Sequence, residues 1–128
     1  MREVLITLAG QEYSLLFNGA AMFSVREKFG DGNLAELIAP NTAEAFDNLC
    51  QLIGVLAEQA ELARRYMGHS AGAILTADMV RALASPLDMI VLKQAAIRAV
   101  ILGYGRDIPD NDEVDLLLSE IQKKTEIS

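Results

Sequence analysis

The chain is poor in aromatic residues, cysteine and histidine, and each shortage excludes some classes of fold or function. Aromatic residues make up only 5% of a sequence that is 52% hydrophobic, so its apolar mass is aliphatic. Leucine, alanine and methionine are good helix formers, and this composition favours packed helices. A lone cysteine, Cys50, excludes an internal disulfide and is typical of a reducing cytoplasm.

Basic residues and long apolar runs are also scarce. The 11 basic residues face 18 acidic ones, and the only basic doublets are Arg64-Arg65 and Lys123-Lys124. Nucleic-acid binding needs many cations on phosphates, so we expect no nucleic-acid partner. The longest apolar stretch, 87–102, is interrupted by polar side chains and is shorter than the roughly 20 residues of a membrane span. We expect no membrane segment or signal peptide, and a cytoplasmic location.

The apolar periodicity predicts a mainly α protein with an N-terminal β-hairpin packed on a bundle of about four to five helices. A length of 128 residues is near the commonest domain size, so we expect a single domain, 1–128. Alternation of apolar and polar residues predicts a hairpin over 3–17. Apolar steps of three and four predict a short helical piece at 34–39 and helices over about 19–29, 43–67, 77–84, 86–102 and 111–124.

Short polar residues mark the expected helix starts. Asn18 and Thr76 each precede a periodic segment and can accept a bond from a first-turn amide. Asn41 and Glu44 have the spacing of a capping box. Ser85 followed by Pro86 is typical of a helix that restarts after a break.

Three groups of residues suggest chemistry, and each has a simpler explanation. The segment Gly68–Gly72 reads G-x-S-x-G, but a hydrolase elbow follows a strand, whereas a predicted helix precedes this one. The only histidine, His69, lies inside the motif, so a triad has no separate base. The acidic cluster 107–115 does not match the ligand spacing of a calcium loop. Cys50 has no histidine or lysine at helical spacing to activate it. We therefore expect no enzyme activity, no catalytic residue, no cofactor and no metal site.

Two apolar stripes are candidate partner-binding surfaces. The long helix carries a seam with a repeat near 3.5 residues, which indicates either an ordinary core helix or contact with another subunit. The last predicted helix carries a narrower stripe. The candidate contact residues in the two stripes are Phe46, Leu49, Ile53, Val114, Leu117, Leu118 and Ile121.

One segment resembles a known family. The hairpin ends in Tyr13-Ser-Leu-Leu-Phe17 and passes directly into Asn18-Gly-Ala-Ala-Met-Phe-Ser-Val-Arg-Glu-Lys-Phe-Gly30. A long amphipathic helix, a short helix, an apolar helix and an acidic end are predicted to follow. In these features the chain resembles the tail assembly chaperones of long-tailed bacteriophages and their prophage and gene-transfer-agent relatives.

The resemblance implies a non-enzymatic protein in the cytoplasm of a bacterial host. Such a chaperone binds the tape measure protein, keeps its apolar helices soluble and helps tail tube subunits assemble around it. The tail tube protein is a possible second partner, and self-association is possible. Two other interpretations stay open, namely a small structural neck or tail-completion protein of the virion and a host helical adaptor.

Overall fold

The computed structural model describes residues 2–105 and Leu118, and these residues confirm the mainly helical fold with an N-terminal hairpin. Apart from Leu118, which is helical, the predicted helix over 111–124 lies outside the described residues. Along the chain the elements are β1 (Glu3–Leu8), β2 (Gln11–Leu16), α1 (Gly19–Phe29), α2 (Leu34–Ile38), α3 (Ala43–Tyr66), α4 (Ala77–Leu83) and α5 (Pro86–Gly103).

The two strands pair antiparallel through a tight turn. Val4 lies opposite Leu15, and Ile6 lies opposite Tyr13. The turn residues Ala9 and Gly10 both have positive φ, of 51° and 77°, as the two-residue turns that match strand twist require. One face of the hairpin is buried, because an isolated hairpin is marginal in water and needs a hydrophobic support.

Helices α3 and α5 are the two largest contributors to the hydrophobic core. Both pack against the hairpin, and α3 also packs against α1, α2 and α4. Small side chains on α5 let its neighbours approach closely. None of the described helices is both long enough and apolar enough to cross a bilayer. The buried core residues of the two helices are Leu49, Cys50, Leu52, Ile53, Leu56, Ala57, Leu92, Ala95, Ala96, Ile97 and Ala99.

Three of the predicted helix starts are confirmed. The Asn18 side chain accepts a hydrogen bond from the Ala21 amide at 2.9 Å, and Thr76 caps α4. Ser85 and Asp88 form a reciprocal capping box, with Pro86 in the first turn of α5. Each cap satisfies an amide that the first helical turn leaves unpaired.

The predicted cap of α3 is wrong by one residue. The Thr42 hydroxyl, and not Asn41, accepts the hydrogen bond from the Ala45 amide, at 3.0 Å. This shift places Ala45 at the third helical position, so Glu44 has no capping-box role. Asn41 instead accepts a hydrogen bond from the buried Lys93 amine, at 3.3 Å.

The end of α5 packs closely against Phe17, the residue that follows the hairpin. A Cβ atom added at Gly103 would lie 2.3 Å from the Phe17 carbonyl oxygen and 2.6 Å from the Phe17 ring. The Phe17 ring also meets Tyr104, with ring centroids 5.3 Å apart. Glycine is therefore required at position 103 for α5 to pack on the hairpin.

We predict that Gly103→Ala lowers the free energy of unfolding by about 1–3 kcal/mol, because the added methyl group overlaps fixed backbone. Urea denaturation followed by circular dichroism measures this change. Gly19→Ala is the matched control, since a Cβ atom there meets nothing within 4 Å. Equal stability of the two variants would show that the Phe17 contact tolerates a side chain.

Candidate functional site

The seam predicted on the long helix packs inside the chain. Leu49 and Ile53 are fully buried, and Phe46 is half-buried against the same core. Leu49 and Ile53 thus have no surface to offer a partner in this fold. Packing within the chain accounts for the 3.5-residue seam, as the first of its two interpretations expects.

The stripe predicted near the C-terminus is described at one position. Leu118 is buried and belongs to the central hydrophobic cluster, so its side chain contributes to the core. Val114, Leu117 and Ile121 lie outside the described residues, and their contact role stays a prediction.

A different apolar surface is exposed where α4 meets α5. Leu87, Ile90 and Val91 are 71%, 52% and 48% exposed, and Leu83 at the end of α4 is 45% exposed. The three α5 residues follow the i, i+3, i+4 spacing that places side chains on one helical face. We call Leu83, Leu87, Ile90 and Val91 the corner surface.

Sequence reasoning missed the corner surface because α5 is apolar on most sides. Gln94 and Arg98 continue the direction of Leu87 at i+7 and i+11, and both are half-buried. Leu92, Ala96 and Ala99 lie on the opposite face and are buried.

An ion pair of one arginine joins α4 to α3. The Arg81 guanidinium on α4 donates to Asp78 on the same helix, at 2.7 Å, and also to Asp47 on α3. These two aspartates share one cation. The side chains of Asp78 and Asp47 are 93% and 53% exposed, so both remain accessible from solvent.

A buried carboxylate holds the loop that contains the G-x-S-x-G motif. Glu61 accepts hydrogen bonds from the Gly72 amide at 2.8 Å, from Arg64 at 2.6 Å and from Arg65 at 2.8 Å. The Gly72 amide, helped by both arginines, holds the pKa of Glu61 below its ordinary value. Arg65 also donates to the Gly72 carbonyl at 3.0 Å, so the loop is tied at two backbone atoms. This arrangement is structural, since the Gly72 amide joins the loop to Glu61 and the two arginines hold the Glu61 carboxylate from within α3.

The motif itself lacks the geometry of a hydrolase elbow. Helix α3 precedes Gly68–Gly72, as expected, and the segment after it has neither strand nor helix until α4. Both Ser70 and His69 are exposed. Cys50 is fully buried, and burial raises the pKa of its thiol. Residues 2–105 and Leu118 contain no group of three potential metal ligands.

Lys93 is a buried cation that sequence reasoning did not single out. Its amine donates to the Ala39 carbonyl at 2.9 Å and to the Asn41 side chain at 3.3 Å, which links α5 to the end of α2. Burial lowers the pKa of the Lys93 amine, because the charged form loses solvation. These contacts give Lys93 a structural role.

An open groove of about 690 Å³ lies between α1 and the second half of α5. Its walls include Met22 and Val25 from α1 and Ile97 and Ile101 from α5. Polar side chains also line it, namely Arg26, Asp31 and Asn33, and Arg26 lies 3.7 Å from the Asp31 carboxylate.

No protein-family model matches this chain, and neither a curated protein nor a solved structure does.

We predict that Glu61→Gln destabilises the protein most at neutral pH. Because the pKa of Glu61 is lowered in the folded state, its stabilisation is complete above the unfolded pKa of about 4.3. This stabilisation is lost as pH falls through the pKa that Glu61 has in the folded protein. The difference in unfolding free energy between wild type and variant should therefore shrink on acidification, in urea titrations from neutral to acidic pH. Glu58→Gln, a substitution at an exposed site on α3, controls for the loss of a negative charge. A similar pH profile for both variants would contradict the stabilisation assigned to the Glu61 hydrogen bonds.

We predict that the free energy of unfolding of wild type rises relative to that of Lys93→Met as pH rises. The folded pKa of Lys93 lies below the unfolded value of about 10.4, so the cost of burying its charge disappears as pH rises to that value. Unfolding free energies of the two proteins from neutral to alkaline pH measure the shift. Lys28→Met, at an exposed site on α1, is the control for removal of a lysine. A constant difference for Lys93→Met would contradict the argument.

Proposed function

We propose that this chain is a non-enzymatic tail assembly chaperone that binds the tape measure protein and assists tail tube assembly in the cytoplasm of a bacterial host. The resemblance of residues 12–30 supports the family. The exposed corner surface carries the binding role, since it offers apolar side chains at the helical spacing that partner helices use.

The exposure of the corner surface needs an explanation in terms of a partner. Aliphatic side chains at these positions are only partly buried within the chain, although the hydrophobic effect favours removing them from water. Contiguous apolar patches of a few hundred Å² on a protein surface often mark interaction sites. A chaperone for apolar helices requires such a surface, and a net charge of −7 keeps it dispersed while the surface is free.

Co-expression tests the chaperone role directly. We expect this chain to keep the tape measure protein encoded beside it in the soluble fraction. The double variant Leu87→Ser, Ile90→Ser should lower that fraction several-fold while leaving helical circular dichroism intact, because both side chains are more than half exposed. Phe23→Ser is the matched control, since Phe23 is 65% exposed on α1. Equal rescue by wild type and the double variant would exclude the corner surface.

The composition of assembled particles separates the chaperone from a structural neck or tail-completion protein. A chaperone should be absent from purified virions by mass spectrometry, whereas a structural component should be present in fixed copy number. Neighbouring genes test the phage setting itself. Without genes for a tail tube and a long helical protein nearby, the host adaptor would replace the proposal.

A further inference from the structure

The loop between α3 and α4 is anchored at both ends. At its start the Gly68 and His69 amides donate to carbonyl oxygens in the last turns of α3, each at 3.1 Å. At its end Leu75 is fully buried in the hydrophobic core. The residues between these two anchors are mostly exposed. We call residues 69–74 the lid.

The middle of the lid is held at Gly72. Among the described residues, the hydrogen bonds that join this part of the lid to another element are the two at its backbone. Its amide donates to Glu61 at 2.8 Å, and its carbonyl accepts from Arg65 at 3.0 Å. Only 6% of the Glu61 surface is exposed, so water contributes little to stabilising its charge. The contact that keeps the lid closed is therefore a charge-assisted hydrogen bond to a buried carboxylate.

The lid forms one wall of a cavity of about 500 Å³. Glu3, Tyr13 and Ser14 line this cavity from the hairpin, and the second half of α3 lines it as well. The lid contributes Gly72 and Ala73 to the lining. A movement of the lid away from α3 would therefore widen the opening of the cavity to solvent.

We propose that the lid opens as a unit over this cavity when Glu61 loses its negative charge, while the helical core stays folded. Protonation weakens the acceptor of the Gly72 amide. It also removes the attraction that positions Arg65, whose guanidinium holds the Gly72 carbonyl. Gly68 and Leu75 keep their places, so the movement is a local opening of the kind that mobile loops undergo. This conformational device does not depend on the proposed phage function.

The groups around Glu61 set the direction of its response to pH. The Gly72 amide, followed by Arg65 and Arg64, lowers the pKa of Glu61, and burial acts in the opposite direction. Because the pKa is lowered in the folded protein, the Gly72 contact is intact at neutral pH. The contact is lost as pH falls through the pKa of Glu61 in the folded state.

The hairpin and the lid also present titratable groups near this carboxylate. Glu3, Glu12 and Tyr13 line the same cavity from the hairpin side. His69 is exposed on the lid itself. The variants Glu12→Gln and His69→Gln separate the titration of these groups from that of Glu61.

Hydrogen exchange measures the opening at the amide that closes the lid. At neutral pH we expect the protection factor of the Gly72 amide, measured by NMR, to fall about tenfold or more in Glu61→Gln, because a neutral acceptor forms a weaker hydrogen bond than a carboxylate. Protection of the Ile53 amide in the middle of α3 should not change. In wild type, protection of Gly72 relative to Ile53 should fall on acidification. Equal losses at Gly72 and Ile53 would mean global unfolding and would overturn the proposal.

Matched variants identify the group that controls the lid. Arg65→Gln removes the second hydrogen bond of the lid and should also lower protection of Gly72. Glu58→Gln, which removes a negative charge at an exposed site on α3, should leave that protection unchanged. The acid response should persist in Glu12→Gln and in His69→Gln. Its disappearance in either variant would assign the response to that group and would overturn the proposal.

Thiol labelling tests whether the lid controls access to the cavity. Ser14→Cys places a thiol in the cavity wall, and the native Cys50 is fully buried and does not compete for the reagent. We expect the introduced thiol to react several-fold faster when Glu61→Gln is also present. An equal reaction rate, with protection of Gly72 lowered, would show fraying that leaves the cavity closed, and it would overturn the proposal.

Discussion

The fold depends on the aliphatic contact that α3 and α5 make beneath the hairpin. Fully buried leucine and isoleucine side chains on α3 meet the alanine-rich inner face of α5, and the small residues allow close approach. Because the hairpin has only two strands, it gains its stability from this layer. The same contact decides which side of α5 is available: its inner face is committed to the core, and Leu87, Ile90 and Val91 are left outside.

Most of the described fold was predictable because each boundary has a local physical signal. The strand-to-helix junction at Asn18, the cap at Thr76 and the restart at Ser85 all follow from residues that satisfy first-turn amides. The cap of α3 was less predictable, since Asn41 and Thr42 are both competent and the choice depends on Lys93, more than 50 residues away in sequence. Tertiary contacts of this kind override a local preference.

The candidate site was less predictable than the fold. Periodicity on α3 indicates an apolar face, but it does not say whether that face meets its own chain or another one. At Leu49 and Ile53 the packing within the chain answers the question. Helix α5 is apolar on nearly all sides, so the pattern of its apolar residues does not predict which face is buried. Exposure at the corner arises from the direction in which α5 crosses α3 and the hairpin, which is a property of the assembled fold.

The loop tied to Glu61 shows how a catalytic signature can arise from packing. A side chain at position 72 would press against the Glu61 carboxylate, since its Cβ atom would lie 2.9 Å from an oxygen. Glycine at the other end, Gly68, has a φ of 92°, which suits the turn that leaves α3. Both glycines of the G-x-S-x-G string thus answer backbone and clearance requirements that have nothing to do with a nucleophile. Five-letter signatures of this sort carry information about a reaction only when the surrounding elements supply a strained serine and a separate base.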